Sequence, residues 1–308
     1  MQDKRMTLKE SVSAFVTDGC SFALGGLSAR EPMAICYEII RQRKRNLTLI
    51  TDSSCDAAEL LIAAGCISRI ECAYIWIGVI GSGVNYRRAV EKGLPNFIEV
   101  EEYSNFGMAA RFLAGSMGLP FMPIKTMLGT DIVRVNPRIK VIQDPYGSGP
   151  VALVPAANPD VALIHAQRAD KAGNAQLWGC YVNDDIMARS AKHVILTCEE
   201  IVSTSEIRRH PNMTVIPGYC VSAVVEVPFG CHPVSFHGYY WMDIPFRREI
   251  IAASATMEGI KAWLEEWVFG VEDHAAYLKK VGRERLLALK TLEVENYQIP
   301  KIIDEEGV

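Results

Sequence analysis

The chain has 308 residues, 49% of them hydrophobic, with a formal net charge of −4 and a pI near 5.9. That length and apolar fraction support a sizeable buried core, as one large domain or two smaller lobes. The acidic balance argues against a phosphate-backbone binder, which needs clustered Lys and Arg; the one dense basic run, Arg41 to Arg45, reads as a solvated helix end. No apolar run approaches the roughly 18–20 residues needed to span a bilayer, and the polar N-terminus MQDKRMTLKESVSAF is not a signal peptide. Nine cysteines, an odd count with no C-x-x-C pair, predict reduced thiols and a cytoplasmic location. Neither the Cys66/Cys72 pair nor Cys231-His232 has zinc-ligand spacing, so no metal is expected.

In chain order, SFAL (21–24) reads as a strand ending at Gly25-Gly26. Ser28 and Glu31 have capping-box spacing ahead of a helix whose Met33, Cys36, Tyr37 and Ile40 share a face. LTLIT (47–51) is the next strand, and SSCDAAELLIAAG supplies a serine cap, a helix and a stop at Gly65. SRIECAYIWIG (68–78) reads as one long central strand, and NYRRAVEKG (85–93) as a short helix. FIEV is a strand and NFGMAARFLAGSMG (105–118) a helix. Residues 119–150, rich in proline, glycine and charge, read as loops over one end of a sheet. Strands resume at VALVP (151–155) and VALIHA (161–166). Asn183 is placed to cap DDIMARSAK, and HVILTCEEIV (193–202) and SAVVEVP (222–228) complete the strands. The alternation predicts an α/β fold: an open, mostly parallel sheet sandwiched by helices, with a helical C-terminal tail. The expected organisation is a core over 1–253, with lobes at about 1–118 and 151–253 joined by 119–150, and a helical extension over 254–308.

The local chemistry is sparse. LGGLSAR puts a glycine pair between a strand and a helix N-terminus, where backbone N–H groups can meet an anion. It is neither G-x-G-x-x-G nor a P-loop, and GVIGSGVN (78–85) matches no dinucleotide fingerprint either. Taken alone, each reads first as a plain tight turn. There is no G-x-S-x-G elbow, and the acid pairs in EVEEYS (99–104) and CEE (198–200) suit solvation or salt bridging as well as substrate. In an α/β sheet, ligands bind where strand C-termini meet their loops. Ser28, Ser82, His165 and Gln167 read as lying at such ends. For His165 the competing reading is a neutral core histidine.

Six blocks then occur in order: FALGGLSAREPMAICYEIIRQ, SMGLPFMPIKTMLG, DVALIHAQRADKAGNAQLWG, TCEEIVSTSEIRR, IPGYCVSAVVEVPFGCHP and EEWVFGVEDHAAYLKKVG. Together they resemble the A subunits of family I CoA-transferases, most closely the glutaconate type, over about residues 5–290. The resemblance implies an open α/β/α fold and a B-type partner, as heterodimer or heterotetramer, with the active site at their interface. It implies a coenzyme A thioester as substrate, with no permanently bound cofactor. The nucleophile would be a glutamate of the B chain, forming a glutamyl-CoA thioester, so that one hard exchange is divided into easier steps. No Ser-Glu-Asn-Gly type motif occurs here; the Glu-Glu pairs are followed by Tyr103 and Ile201. The resemblance therefore implies half an enzyme with no catalytic residue of its own.

Carried over by position, Gly25-Gly26 match the family's GGF loop, with Leu27 in place of Phe. Ser82 and Asn85 match a segment lining the acid pocket, His165 and Gln167 match an IHAQ block, and Gly173-Asn174 match a turn read as structural. Such amides and hydroxyls suit a site that orients a carboxylate and polarises a thioester carbonyl. The expected substrate-binding set is Gly25, Gly26, Ser28, Ser82, Asn85, His165 and Gln167. The expected function is exchange of CoA between an acyl-CoA and a carboxylic acid, with a dicarboxylate as a candidate acid. The alternatives are an acyl-CoA hydrolase or ring-opening enzyme, a decarboxylating enzyme of the same fold, and a ligand-binding regulator. Ser104-Asn105, where ring-opening relatives carry acidic residues, favours transfer.

Overall fold

The computed structural model describes residues 2–147 and 149–290, with the backbone of two further strands, Leu292–Val294 and Tyr297–Ile299. The expected helical extension to residue 308 falls partly outside the described residues, at 291, 295, 296 and 300–308.

Helix α1 (Leu8–Phe15) starts on a capping box in which Thr7 and Glu10 exchange hydrogen bonds through side chain and amide. Strand–helix alternation follows: β1 (Ser21–Leu24), α2 (Met33–Arg41), β2 (Leu47–Ile50), α3 (Asp56–Ala63), β3 (Ile67–Cys72), α4 (Val84–Lys92), β4 (Glu99–Glu102) and α5 (Asn105–Ser116). The second half carries β5 (Val161–Ala169), β6 (Ala175–Gln176), α6 (Asp184–Ser190), β7 (His193–Ile201), β8 (Thr214–Ile216) and β9 (Ala223–Glu226). Helices α7 (Ile244–Ala253), α8 (Met257–Leu264), α9 (His274–Val281) and α10 (Arg283–Leu289) follow, and the expected helical extension then gives way to the antiparallel pair Leu292–Val294 and Tyr297–Ile299.

Parallel pairing sets the order β9-β7-β5-β1-β2-β3-β4. The short strands β6 and β8 join antiparallel beside the far end of β5. The period-2 alternation of the strands divides the interior into two cores. Phe22, Leu24, Leu47, Leu49, Leu163 and Ile195 face α2, α3 and the C-terminal helices, whereas Ala23, Ile50, Ile164, Val194 and Leu196 face the side of α5 and α6. The open, mostly parallel sheet between helices is the predicted fold class.

Several local expectations change. Ser28 and Glu31 form no capping box: α2 starts after Pro32, Ser28 has φ +56°, and Glu31 turns to another helix. Every residue of α2 from Met33 to Ile40 is buried, so the helix is packed all round rather than on one face. The long strand expected over 68–78 stops at Cys72, and Tyr74–Ile75 pairs instead with Ser53–Ser54 in a separate ribbon. Within 119–150, Phe121–Ile124 and Lys140–Gln143 pair antiparallel with Pro150–Pro155, so this segment is a small sheet. The basic run is also tied down: Arg41 donates to the carbonyls of Val268 and Val271, and Arg45 to that of Ala64.

Candidate active site

The strand order reverses at β1. Chain progress runs from β1 through β2 and β3 to β4 on one side, then returns to β5 on the other. At such a switch point the two loops leaving the strand ends diverge and leave a crevice. The Gly25 amide still bonds the Leu163 carbonyl at 3.0 Å, and then the chain leaves the sheet. Gly26, Ser28 and Arg30 take φ of +75°, +56° and +66°. A left-handed arginine is uncommon and persists only where its surroundings over-determine it. Here they do. The Arg30 amide bonds the Ser235 carbonyl at 2.9 Å, its Nη1 donates to the Cys180 carbonyl at 3.1 Å, and its Nη2 lies 3.0 Å from Asp184 Oδ1. Asp184 in turn abuts Gly25, where an added Cβ would stand 2.6 Å from Oδ1. At Gly26 an added Cβ would stand 2.5 Å from the Arg30 carbonyl carbon, so no side chain fits.

The second wall is built by buried carboxylates that hold backbone. Glu31 accepts from Ser54 Oγ at 2.7 Å and from the Cys55 and Ala57 amides at 2.6 and 3.2 Å, which caps α3 from outside its own sequence. Burial, then the Asp56 charge, push the Glu31 carboxyl above the usual range. Asp56 is gripped by Arg247 through two bonds of 2.9 and 2.7 Å. Glu59 accepts from the Asn85 and Tyr86 amides, both at 2.8 Å. Asp52, raised by burial, accepts from Asn183 Nδ2 at 3.0 Å. The loop 76–83 closes over this floor: Gly78 lies against Ser28, where an added Cβ would be 3.2 Å from Oγ, and Ser82 is exposed. His237 stands by Gly179, its pKa lowered by burial and then by the Arg30 charge.

The sequence-derived site residues therefore separate into two groups. Gly25, Gly26, Ser28 and Ser82 lie on the loops around the crevice. Asn85, His165 and Gln167 are buried, with exposures of 1%, 0% and 0%. Alternation along β5 turns His165 and Gln167 onto the face covered by residues 229–240. His165 lies 2.8 Å from Thr197 Oγ1 and 2.9 Å from Glu199 Oε1, with Phe236 edge-on at 4.7 Å. Glu199 also accepts from the Phe229 amide and from Tyr240 Oη, both at 2.8 Å. Gln167 donates to the Trp178 and His237 carbonyls at 2.9 and 3.1 Å. Asn85 donates to Ser254 Oγ at 3.0 Å. Gly173 takes φ +91° against Val221, and Asn174 Oδ1 accepts the Gly218 amide at 3.0 Å.

The sequence pattern does not single out Arg30, Asp184 or Glu59, and it assigns Glu31 to the wrong helix end. Each partners a residue distant in sequence, so local spacing either misses it or, for Glu31, points to the wrong partner; a further signal was the charge pair Arg30-Glu31 inside an otherwise apolar block. Among the described residues no group of three or more His, Cys, Asp or Glu side chains could hold a metal ion, no helix is long and apolar enough to cross a membrane, and all nine cysteines are free.

A parallel α/β/α sheet with a glycine-led loop at its switch point is the layout in which α/β proteins place ligand sites, and comparison with known proteins fixes the family. Residues 5–227 match the coenzyme A transferase family, and the chain belongs to it; the reaction it serves is CoA transfer. An uncharacterised protein of Archaeoglobus fulgidus is 44% identical over 95% of this chain, which spans 66% of that protein. The A subunit of the 3-oxoadipate CoA-transferase of Pseudomonas knackmussii is 38% identical over 90% of this chain and 98% of its own length. The crystal structure of glutaconate coenzyme A-transferase from Acidaminococcus fermentans superposes with a TM-score of 0.91 at 35% identity, covering 96% of this chain and 98% of that one. The cholesterol ring-cleaving hydrolase IpdA subunit of Rhodococcus jostii stands further off, at 28% identity over 92% of this chain and 98% of its own length.

Proposed function

We propose that this chain is the A subunit of a two-subunit CoA-transferase and that its crevice receives a carboxylic acid and the thioester end of an acyl-CoA. The observation that carries this reading is the state of the crevice carboxylates. Glu31 and Glu59 each hold two backbone amides, Asp56 is gripped by Arg247, and Asp184 is buried at ion-pair distance from Arg30. A nucleophile must be free to approach the thioester carbon, and these four are bound into the scaffold. A glutamate from a B-type subunit fills the role. Its carboxylate attacks the thioester carbon and expels CoA thiolate, leaving an acyl-glutamyl anhydride. The thiolate attacks the glutamyl carbonyl, giving the glutamyl-CoA thioester and releasing the first acid. The incoming acid then takes CoA by the reverse sequence.

In this reading the Gly25-Gly26 loop lets substrate approach the backbone, and Ser28 and Ser82 orient carboxylate and thioester oxygens. Asn85, His165 and Gln167 act behind the surface by fixing the loops. Residues 1–253 form the working half, and the helices after 254 brace it. Tyr74, Trp76, Tyr181 and Val182, exposed around the crevice, form the seat for the partner. A two-carboxylate acid such as glutaconate is the substrate class we favour.

The test is turnover by the complex purified with its B-type subunit. Glutaconyl-CoA is supplied with and without acetate, and thioesters are resolved by mass. Acetyl-CoA that forms only with acetate is the expected result. Free CoA released without acetate would instead establish hydrolysis.

A further inference from the structure

We propose that Glu59 is a positioning residue for the reaction: it holds the Gly81-Ser82-Gly83 turn in the orientation that receives the acid's carboxylate, without touching substrate itself. The inference rests on the reading of that turn as part of the acid site.

Helix α4 begins at Val84, and its N-cap is Gly83, which has no side chain to cap it. The first-turn amides of Asn85 and Tyr86 are satisfied instead by Glu59 of α3, at 2.8 Å each. Glu59 is 1% exposed, so its charge is met by those two amides rather than by water. The fit is closed from the opposite side: a Cβ at Gly83 would stand 2.8 Å from Glu59 Oε1 and 3.3 Å from the Ile75 carbonyl. The flank of the turn is fixed by α7 and the residue that follows it. Asn85 Nδ2 reaches Ser254 Oγ, Arg88 Nη1 reaches Asn85 Oδ1 at 2.9 Å, and Gly81 packs on Ile251. Ser82, between two pinned glycines, is the exposed residue of the turn.

A carboxylate at this place makes the turn sensitive to protonation. Burial pushes the Glu59 carboxyl up to about 7, against the pull of the Tyr86 and Asn85 amides. Asp56, on the same helix and paired with Arg247 of α7, is the charged group that acts on it, pushing the same way as burial, and Arg88 of α4 bonds the Asn85 side chain beside it. When Glu59 takes a proton, one oxygen becomes a donor facing an amide donor, and that bond is lost.

The experiment varies the acid at saturating acyl-CoA, using the complex with the B-type subunit. Wild-type kcat/KM for the acid should rise through about pH 7. Glu59→Gln should raise KM for the acid about tenfold at pH 8, change kcat less than threefold, and flatten the limb near pH 7. Gly83→Ala pushes on the same carboxylate from the other side and should raise KM while keeping a titrating limb; it serves if Glu59→Gln does not fold. Ser82→Ala reports on the underlying reading. If Ser82→Ala raises KM while Glu59→Gln and Gly83→Ala do not, the positioning role falls and the acid site stands. If Ser82→Ala is also without effect, the acid-site reading falls and takes this inference with it. Loss of complex assembly in Glu59→Gln, with acid KM and the pH limb unchanged in the assembled fraction, would make Glu59 merely structural.

Discussion

Arg30 Nη2 lies 3.0 Å from Asp184 Oδ1, and both side chains are 1% exposed. The pair joins the loop after β1 to the first turn of α6, across the strand-order reversal, directly behind Gly25. Removing one partner leaves the other charge buried without its counter-ion, which typically costs ~3–5 kcal/mol. Arg30→Met and Asp184→Asn should each lower the urea midpoint accordingly, and Asp184→Asn should also depress turnover through the displaced glycine loop. Urea midpoints within experimental error of wild type would show that the pair contributes little.

Gly26→Val should abolish turnover while the partner still co-purifies. The position needs φ +75°, and a Cβ would stand 2.5–2.7 Å from backbone atoms of Ala29 and Arg30. Turnover at the wild-type rate would remove the loop from the site.

His165→Ala should act on stability first. The change deprives Thr197 and Glu199 of a buried partner and opens a void beside Phe236, for a loss of about 2–4 kcal/mol. Thermal melts should shift down while KM for the acid, measured well below the new Tm, stays within about twofold. A large KM change with an unmoved Tm would put His165 in contact with substrate.

Acid should loosen the anchoring of the C-terminal helices. Burial raises the Asp243 carboxyl, but bonds from His232 and Arg285 outweigh it and hold the group at about 2. Because the folded value lies below the ordinary 3.8, this contribution is complete above about pH 4 and is lost as pH falls toward 2. His232, which bonds both Asp243 and Tyr277 of α9, has its pKa lowered by burial, so protonating it below its ordinary value of 6.5 adds a loss of the same sign. Asp243→Asn should be less stable at pH 7, with a shallower fall between pH 4 and 2. Equal slopes for the two proteins would sever the link to Asp243.

The sequence by itself determined the strand–helix alternation, and with it the layered sheet. Those follow from period-2 and period-3.6 patterning and from glycines such as Gly26 and Gly65, both at positive φ, all of which are local. It also placed Gly25 and Gly26 just past the end of β1, because glycine there carries its geometry with it, whereas Ser82 lies beyond the Tyr74–Ile75 ribbon and a short helical turn, not at a strand end. Only the tertiary structure decided what the polar side chains of the elements do. His165 and Gln167 are polar residues on an apolar strand, and sequence leaves open whether they face a ligand or a covering loop. The answer depends on residues 229–240, more than sixty positions away. Glu31 has capping-box spacing to Ser28 yet caps α3, and Glu59 caps α4, because a buried carboxylate goes to whichever unpaired amides the packing brings within 3 Å. Local spacing can propose a partner for such a group. The choice is made by long-range packing, which sets which helix end needs the charge.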